Sequence, residues 1–171
     1  MIQISGGIMI LKLIYTFLIG IFLAVFVGVV IAAFYTGPKY PEPPVTLKYC
    51  SPETAKNAAE YEEFKKDAEN FDKEEKIYRE KSQRYNRNVS IFSLVASIII
   101  VIASLTFFKK ILIIADGLLL GGLLTLIYSV MRGFGTEDNI FRFIVVTVGL
   151  IISLFLGYVK FIRPSEKSSS E

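Results

Sequence analysis

The chain of 171 residues carries 19 Lys and Arg against 16 Asp and Glu, and 53% of it is apolar. A positive mean hydropathy excludes an ordinary soluble domain, and the near balance of charge leaves no uncompensated basic surface for nucleic acid. With no histidine and a single cysteine, Cys50, the chain lacks the parts for histidine-dependent triads, imidazole or zinc-type metal centres and an intrachain disulfide. No catalytic, cofactor or metal site is expected.

After a flank at residues 1–7, residues 8–35 hold one charge, Lys12, in 28 positions. A bilayer core of ~30 Å takes about 20 helical residues, so this block predicts a first transmembrane helix. Its apolar run is about twice the ~7–15 residues of a secretory-signal core and no clear cleavage site follows, which favours an uncleaved span. Residues 36–51 open with four prolines between Pro38 and Pro44. Fixed φ angles and missing donors predict an extended, polyproline-like strap. Cys50 at its end is read as a spare thiol, the alternatives being an intermolecular bridge or a lipid attachment.

Ser51-Pro52-Glu53 reads as a helix start, with a serine cap, a proline in the first turn and an acid near the positive end of the dipole. Residues 52–88 then predict a charged extramembrane helix, because neither glycine nor proline follows before Asn86. An aromatic ring recurs every seventh residue, at Phe64, Phe71, Tyr78, Tyr85 and Phe92. That spacing keeps the rings on one helix face. They form a candidate self-association ridge between copies of the chain; the alternative is packing on the chain's own strap through Tyr40, Tyr49 and the prolines. A companion column at Tyr61, Ala68, Val89 and Ala96 is broken by Glu75 and Ser82, so the seam is narrower than a full zipper. The remaining charges pair at i,i+3 and i,i+4 and solvate the other face. The helix is expected to continue into the next block, with Asn86-Arg87-Asn88 as a place for a bend.

Residues 89–108, 111–131 and 140–160 predict transmembrane helices two, three and four. Lys109-Lys110 makes a tight hairpin, so helices two and three are antiparallel neighbours. In residues 132–139, RGFGTEDN, the two glycines are read as the turn and Thr136-Glu137-Asp138 as the cap and acids of the following helix. Residues 163–171 read as a disordered tail.

Asp116 is the one acid inside a span, where a carboxylate faces protein or water by default. Across the hairpin, residues match in depth when their numbers sum to about 219. This places Ser104 opposite Asp116, ~8–9 Å deep, with Ser153 at a comparable level on helix four. The three form a candidate polar membrane site. It is either structural, with Asp116 at the interface or paired with a lysine, or an ion- or proton-binding carboxylate on a pathway. Gly117 and Gly121 on helix three, and Gly149, Ser153 and Gly157 on helix four, predict close helix packing, with Ser93, Ser97 and Ala103-Ser104 as small residues on helix two.

The expected fold is all-α: an integral membrane protein of four transmembrane helices, with a long extramembrane helix between helices one and two. Its setting is the lipid bilayer of the cell membrane, with both termini read as cytoplasmic because Lys12, Lys109, Lys110, Lys160, Arg163 and Lys167 gather there. A plain count of Lys and Arg favours the opposite side, since the charged helix carries many bases balanced by acids. The expected function is a homo-oligomeric pore or channel-like assembly. The alternative is a structural or adaptor protein whose projecting helix binds another envelope protein. Neither reading is enzymatic.

Overall fold

A computed structural model describes residues 2–49, 58–106 and 111–162. Cys50, the helix start at Ser51-Pro52-Glu53, the Lys109-Lys110 hairpin and the tail at 163–171 lie outside the described residues. Those described are mostly helical and contain no strand. The elements are α1 (Ile2–Phe34), α2 (Val45–Tyr49), α3 (Ala58–Thr106), α4 (Leu112–Phe134) and α5 (Asn139–Gly157), closed by a π-helical turn at Tyr158–Ile162. Four helices are long and apolar enough to cross a membrane: Gly7–Phe34, Ala58–Thr106, Leu112–Phe134 and Asn139–Lys160. α3, at 49 residues, is far longer than the ~20 a bilayer needs, and its first half is the charged extramembrane helix. It runs unbroken through Asn86-Arg87-Asn88.

Several boundaries differ from the expected ones, each for a local reason. α1 begins at Ile2, since residues 2–7 contain no proline to stop a helix. α4 continues past Met131 to Phe134, and Gly133 lies buried within it instead of in a turn. A Cβ there would come within 3.3 Å of the Ser90 hydroxyl, so this glycine serves close packing. The turn is therefore short. Gly135 N–H donates to the Arg132 carbonyl (3.1 Å) and Thr136 N–H to the Gly133 carbonyl (3.2 Å). Asp138 then caps α5, accepting from the N–H groups of Ile140 (2.9 Å) and Phe141 (3.1 Å). The strap is interrupted by α2, which starts because the Pro44 carbonyl accepts from Leu47 N–H and Lys48 N–H.

The chain forms two compact units, Met1–Thr36 with Asn86–Glu171, and Gly37–Tyr85. In the first, α4 is the central helix: 39% of its apolar window is buried, against 6% for α1. Serine hydroxyls join it to α3. Ser90 donates to the Ser129 carbonyl (2.8 Å) and Ser129 returns a bond to the Ser90 carbonyl (2.7 Å). Ser97 donates to the Gly122 carbonyl (2.8 Å) and Ser104 to the Ala115 carbonyl (2.6 Å). Donors and acceptors both recur at seven-residue intervals, and Ser90, Ser97, Ser104 and Ser129 are at most 2% exposed. On its other faces α4 packs against α1 and α5. Cβ atoms at Gly117 and Gly121 would approach Ile19 and Leu23 of α1 to 2.8 and 2.7 Å. Gly149 of α5 faces Leu126 and Val130 of α4.

In the second unit the strap lies along the N-terminal part of α3. Tyr40 stacks edge-to-face on Phe71 (6.4 Å between centroids, 74°) and on Tyr78 (5.1 Å, 82°). Gly37 sits against the Tyr85 ring, and Thr46 donates to an Asp67 carboxylate oxygen at 2.5 Å. From Gly37 to Thr46 the strap thus runs beside Tyr85 back to Asp67, ~27 Å of helix at 1.5 Å per residue. The seven steps from Gly37 to Pro44 cover about 22 Å at ~3.1 Å each, the rise of a polyproline helix, and α2 carries the chain on to Thr46.

The packing distinguishes two kinds of small residue, the serines of α3 and the glycines of α4. Ser97→Ala removes one donor and leaves the Gly122 carbonyl in its own helix, so the expected loss is ~0.6 kcal/mol. Gly121→Leu forces α1 away from α4 and is expected to lose more than ~2 kcal/mol. Thermal unfolding in detergent measures both, and equal losses would contradict this packing.

Candidate functional site

The position of Asp116 follows from the serine contacts. Ser104 holds the Ala115 carbonyl, and Ala115 is buried. The next residue is turned about 100° around the helix, which carries Asp116 off the α3 face. Its carboxylate meets Lys160, whose ammonium donates to Oδ1. Lys160 lies in the π-helical turn Tyr158–Ile162. The two side chains are 41% and 40% exposed.

Beside the pair is a cavity of about 480 Å³ whose walls come from three helices. α1 contributes Thr16 and Phe17, α4 contributes Leu119, Leu120 and Leu123, and α5 contributes Ser153 and Leu156. Asp116 and Lys160 stand among these apolar walls, and Gly157 adds open space, since a Cβ there would meet nothing within 4 Å.

The candidate polar cluster is therefore only partly assembled. Asp116 and Ser153 line the same cavity, but the Ser153 hydroxyl donates to the Gly149 carbonyl of its own helix (2.9 Å). Ser104 is buried on α3 and bonds a different face of α4 from the one that carries Asp116. The acid's partner is Lys160, one of the lysines at that end of the bundle, in keeping with the alternative of an Asp116 paired with a lysine. The helix-packing residues also divide by role. Gly117 and Gly121 face α1, Gly149 faces α4, and Ser153 and Gly157 line the cavity.

Of the aromatic ridge, Phe71, Tyr78 and Tyr85 meet the strap, and Phe64 is half-buried. Phe92 stacks edge-to-face on Tyr35 at 5.9 Å, and the Tyr35 hydroxyl accepts from Asn88 at 2.8 Å. The ridge has partners inside the chain, as the alternative reading of the heptad expects.

A further polar group lies where α3 approaches the end of α4. Arg132 donates to the Asn86 side-chain carbonyl and to the Tyr128 hydroxyl, both at 3.0 Å, with its guanidinium 5.5 Å from the Tyr128 ring centroid. Asn86 in turn donates to the Gly135 carbonyl (3.3 Å). Arg142 donates to the carbonyls of Phe134 (3.1 Å) and Thr136, fastening the turn between α4 and α5. Among the described residues, no group of three or more Cys, Asp or Glu could hold a metal ion.

These features define an all-α membrane protein with four helices able to span a bilayer, and a charged helix with a bound strap. No family of known proteins, no characterised protein and no solved structure matches the chain.

The Asp116–Lys160 pair makes a measurable prediction. Asp116→Asn and Lys160→Gln each leave one charge without its partner, whereas the double variant removes both. Because the pair is part-exposed, a coupling of ~1 kcal/mol or less is expected between the two substitutions, read from thermal unfolding of the four proteins. Purely additive losses would show that the pair contributes no stability.

Proposed function

We propose that the protein is a non-enzymatic structural or adaptor protein of the cell membrane, which presents the charged helix of α3 to another membrane or envelope protein. The observation that carries this reading is the strap bound on the aromatic ridge. With its rings engaged by Tyr40 and Gly37, the helix offers a partner its mixed-charge face. Glu62, Glu63, Lys65, Lys66 and Glu69 are all exposed there. Interspersed charges of both signs suit a partner of complementary pattern better than an anionic membrane or nucleic acid.

A homo-oligomeric pore is the second reading. It draws on the part-exposed Asp116–Lys160 pair, which a neighbouring copy would shield from lipid. The stoichiometry of the particle purified from native membranes separates the two. The adaptor reading expects one different chain at a fixed ratio, lost in the Glu62→Lys, Glu63→Lys, Glu69→Lys triple variant and weakened by Tyr40→Ala. A closed homo-oligomer that passes ions in liposomes, with flux altered by Asp116→Asn, would replace it.

Both termini are proposed to be cytoplasmic, supported by Lys12 and Lys160 flanking spans at the same end. A Glu137→Cys variant in a Cys50→Ser background is then expected to react with a membrane-impermeant maleimide in intact cells. Protection until lysis would reverse the orientation.

A further inference from the structure

We propose that the lateral cavity between α1, α4 and α5 is a binding site for one phospholipid with an anionic headgroup. An acyl chain lies along Leu119, Leu120 and Leu123, and the phosphate sits at Lys160 and Lys12.

The cavity's chemistry changes along its length in the way a lipid does. Its inner wall is leucine, with Phe17 and Leu156 beside it. Its polar groups are Asp116, Lys160, Thr16 and Ser153. Asp116 lies one turn into α4, which begins at Leu112, and Lys160 closes the candidate span Asn139–Lys160. Both therefore stand near the headgroup end of their spans, not at the bilayer centre. The flanking helices face lipid: Phe17 of α1 and Leu154 of α5 are 52% and 66% exposed. A cavity of about 480 Å³ is of ordinary size for a small-molecule site.

Charge complementarity selects the headgroup. Lys12 precedes Thr16 by one helical turn, so the two share a face of α1, and Lys12 is exposed. Lys12 and Lys160 outnumber Asp116, leaving the mouth net positive. Asp116 orients the Lys160 ammonium by accepting one of its three protons, and two remain for phosphate oxygens. Basic pockets between transmembrane helices hold anionic headgroups by this arrangement. A zwitterionic lipid gains less at such a mouth because its own cation is repelled.

The test uses the full chain in nanodiscs of equal phosphatidylglycerol and phosphatidylcholine, with retained lipid counted by native mass spectrometry after transfer to detergent. One phosphatidylglycerol per chain is expected, enriched roughly fivefold over phosphatidylcholine for the one net positive charge. The triple variant Lys12→Gln, Asp116→Asn, Lys160→Gln leaves no lone acid, and should keep a bound lipid while losing the preference. Gly157→Trp should fill the cavity and expel the lipid. Ser97→Ala, on α3 and outside the cavity lining, should leave binding unchanged. If Gly157→Trp fails to fold, a phosphatidylglycerol with an acyl-chain diazirine tests the wild-type protein, with adducts expected at Phe17 and Leu119–Leu123. Equal retention of the two lipids would overturn the proposal. So would adducts spread over Ile144 and Ile151, or cross-links from Phe17 to a second copy of the chain.

Discussion

Serine hydroxyls hold α3 against α4, and the other contacts of the membrane bundle take their places from that seam. Lipid is as apolar as leucine, so helices gain little by bringing large side chains together. Small residues let two backbones approach closely enough for hydroxyls to reach across. Ser90, Ser97 and Ser104 do so at one-heptad intervals, against carbonyls of Ser129, Gly122 and Ala115 at the same interval. A straight helix drifts about 20° per heptad. Bonds that persist over two heptads therefore require the helices to wind slightly around one another, as in shallow left-handed packing. Each acceptor stays within its own helix, so the seam leaves no buried hydroxyl without a partner.

Fixing one face of α4 fixes the others. With Ala115, Gly122 and Ser129 turned to α3, the next positions round the helix bring Gly117 and Gly121 onto α1. Asp116 is left beside neither seam, at the cavity that α1 and α5 border. Its pairing with Lys160 also uses the wider π-helical turn at the end of α5, a feature that often marks functional positions in helices. The acid and the cavity are thus consequences of the same register that seals the serines.

Much of this register was legible in the sequence. The four spans follow from apolar length alone, and residue numbers summing to 219 describe each interhelical serine bond, from Ser90 with Ser129 to Ser104 with Ala115. Depth groups Ser104 with Asp116, but matched depth is not matched direction. One residue beyond Ala115 is the same level of the membrane and a different face of the helix. Ser90 and Ser129 were legible by the same sum but carry no charge to draw notice. The π-helical turn has no comparable sequence signal, since valine, lysine and isoleucine fit an ordinary α-turn as well.

The aromatic heptad shows a different limit. Spacing identified a ridge but not its partner, and two periods had to be compared to find one. A heptad advances a helix by ~10.5 Å, and one three-residue turn of a polyproline strand advances ~9.3 Å. Pro38, Pro41 and Pro44 recur every third residue, as do Gly37, Tyr40 and Pro43. The strap therefore returns the same face to the helix about once per ring, which is how Gly37 reaches Tyr85 and Tyr40 reaches Tyr78 and Phe71. A second α-helix would match the same ridge, so the heptad alone favours neither partner. The strap is covalently joined to the helix it covers, which makes its local concentration far higher than that of another copy. A competing helix must displace it before it can dock on the rings. The strap covers the rings and leaves Glu62, Glu63, Lys65, Lys66 and Glu69 exposed, and that asymmetry is what the proposed adaptor reading rests on.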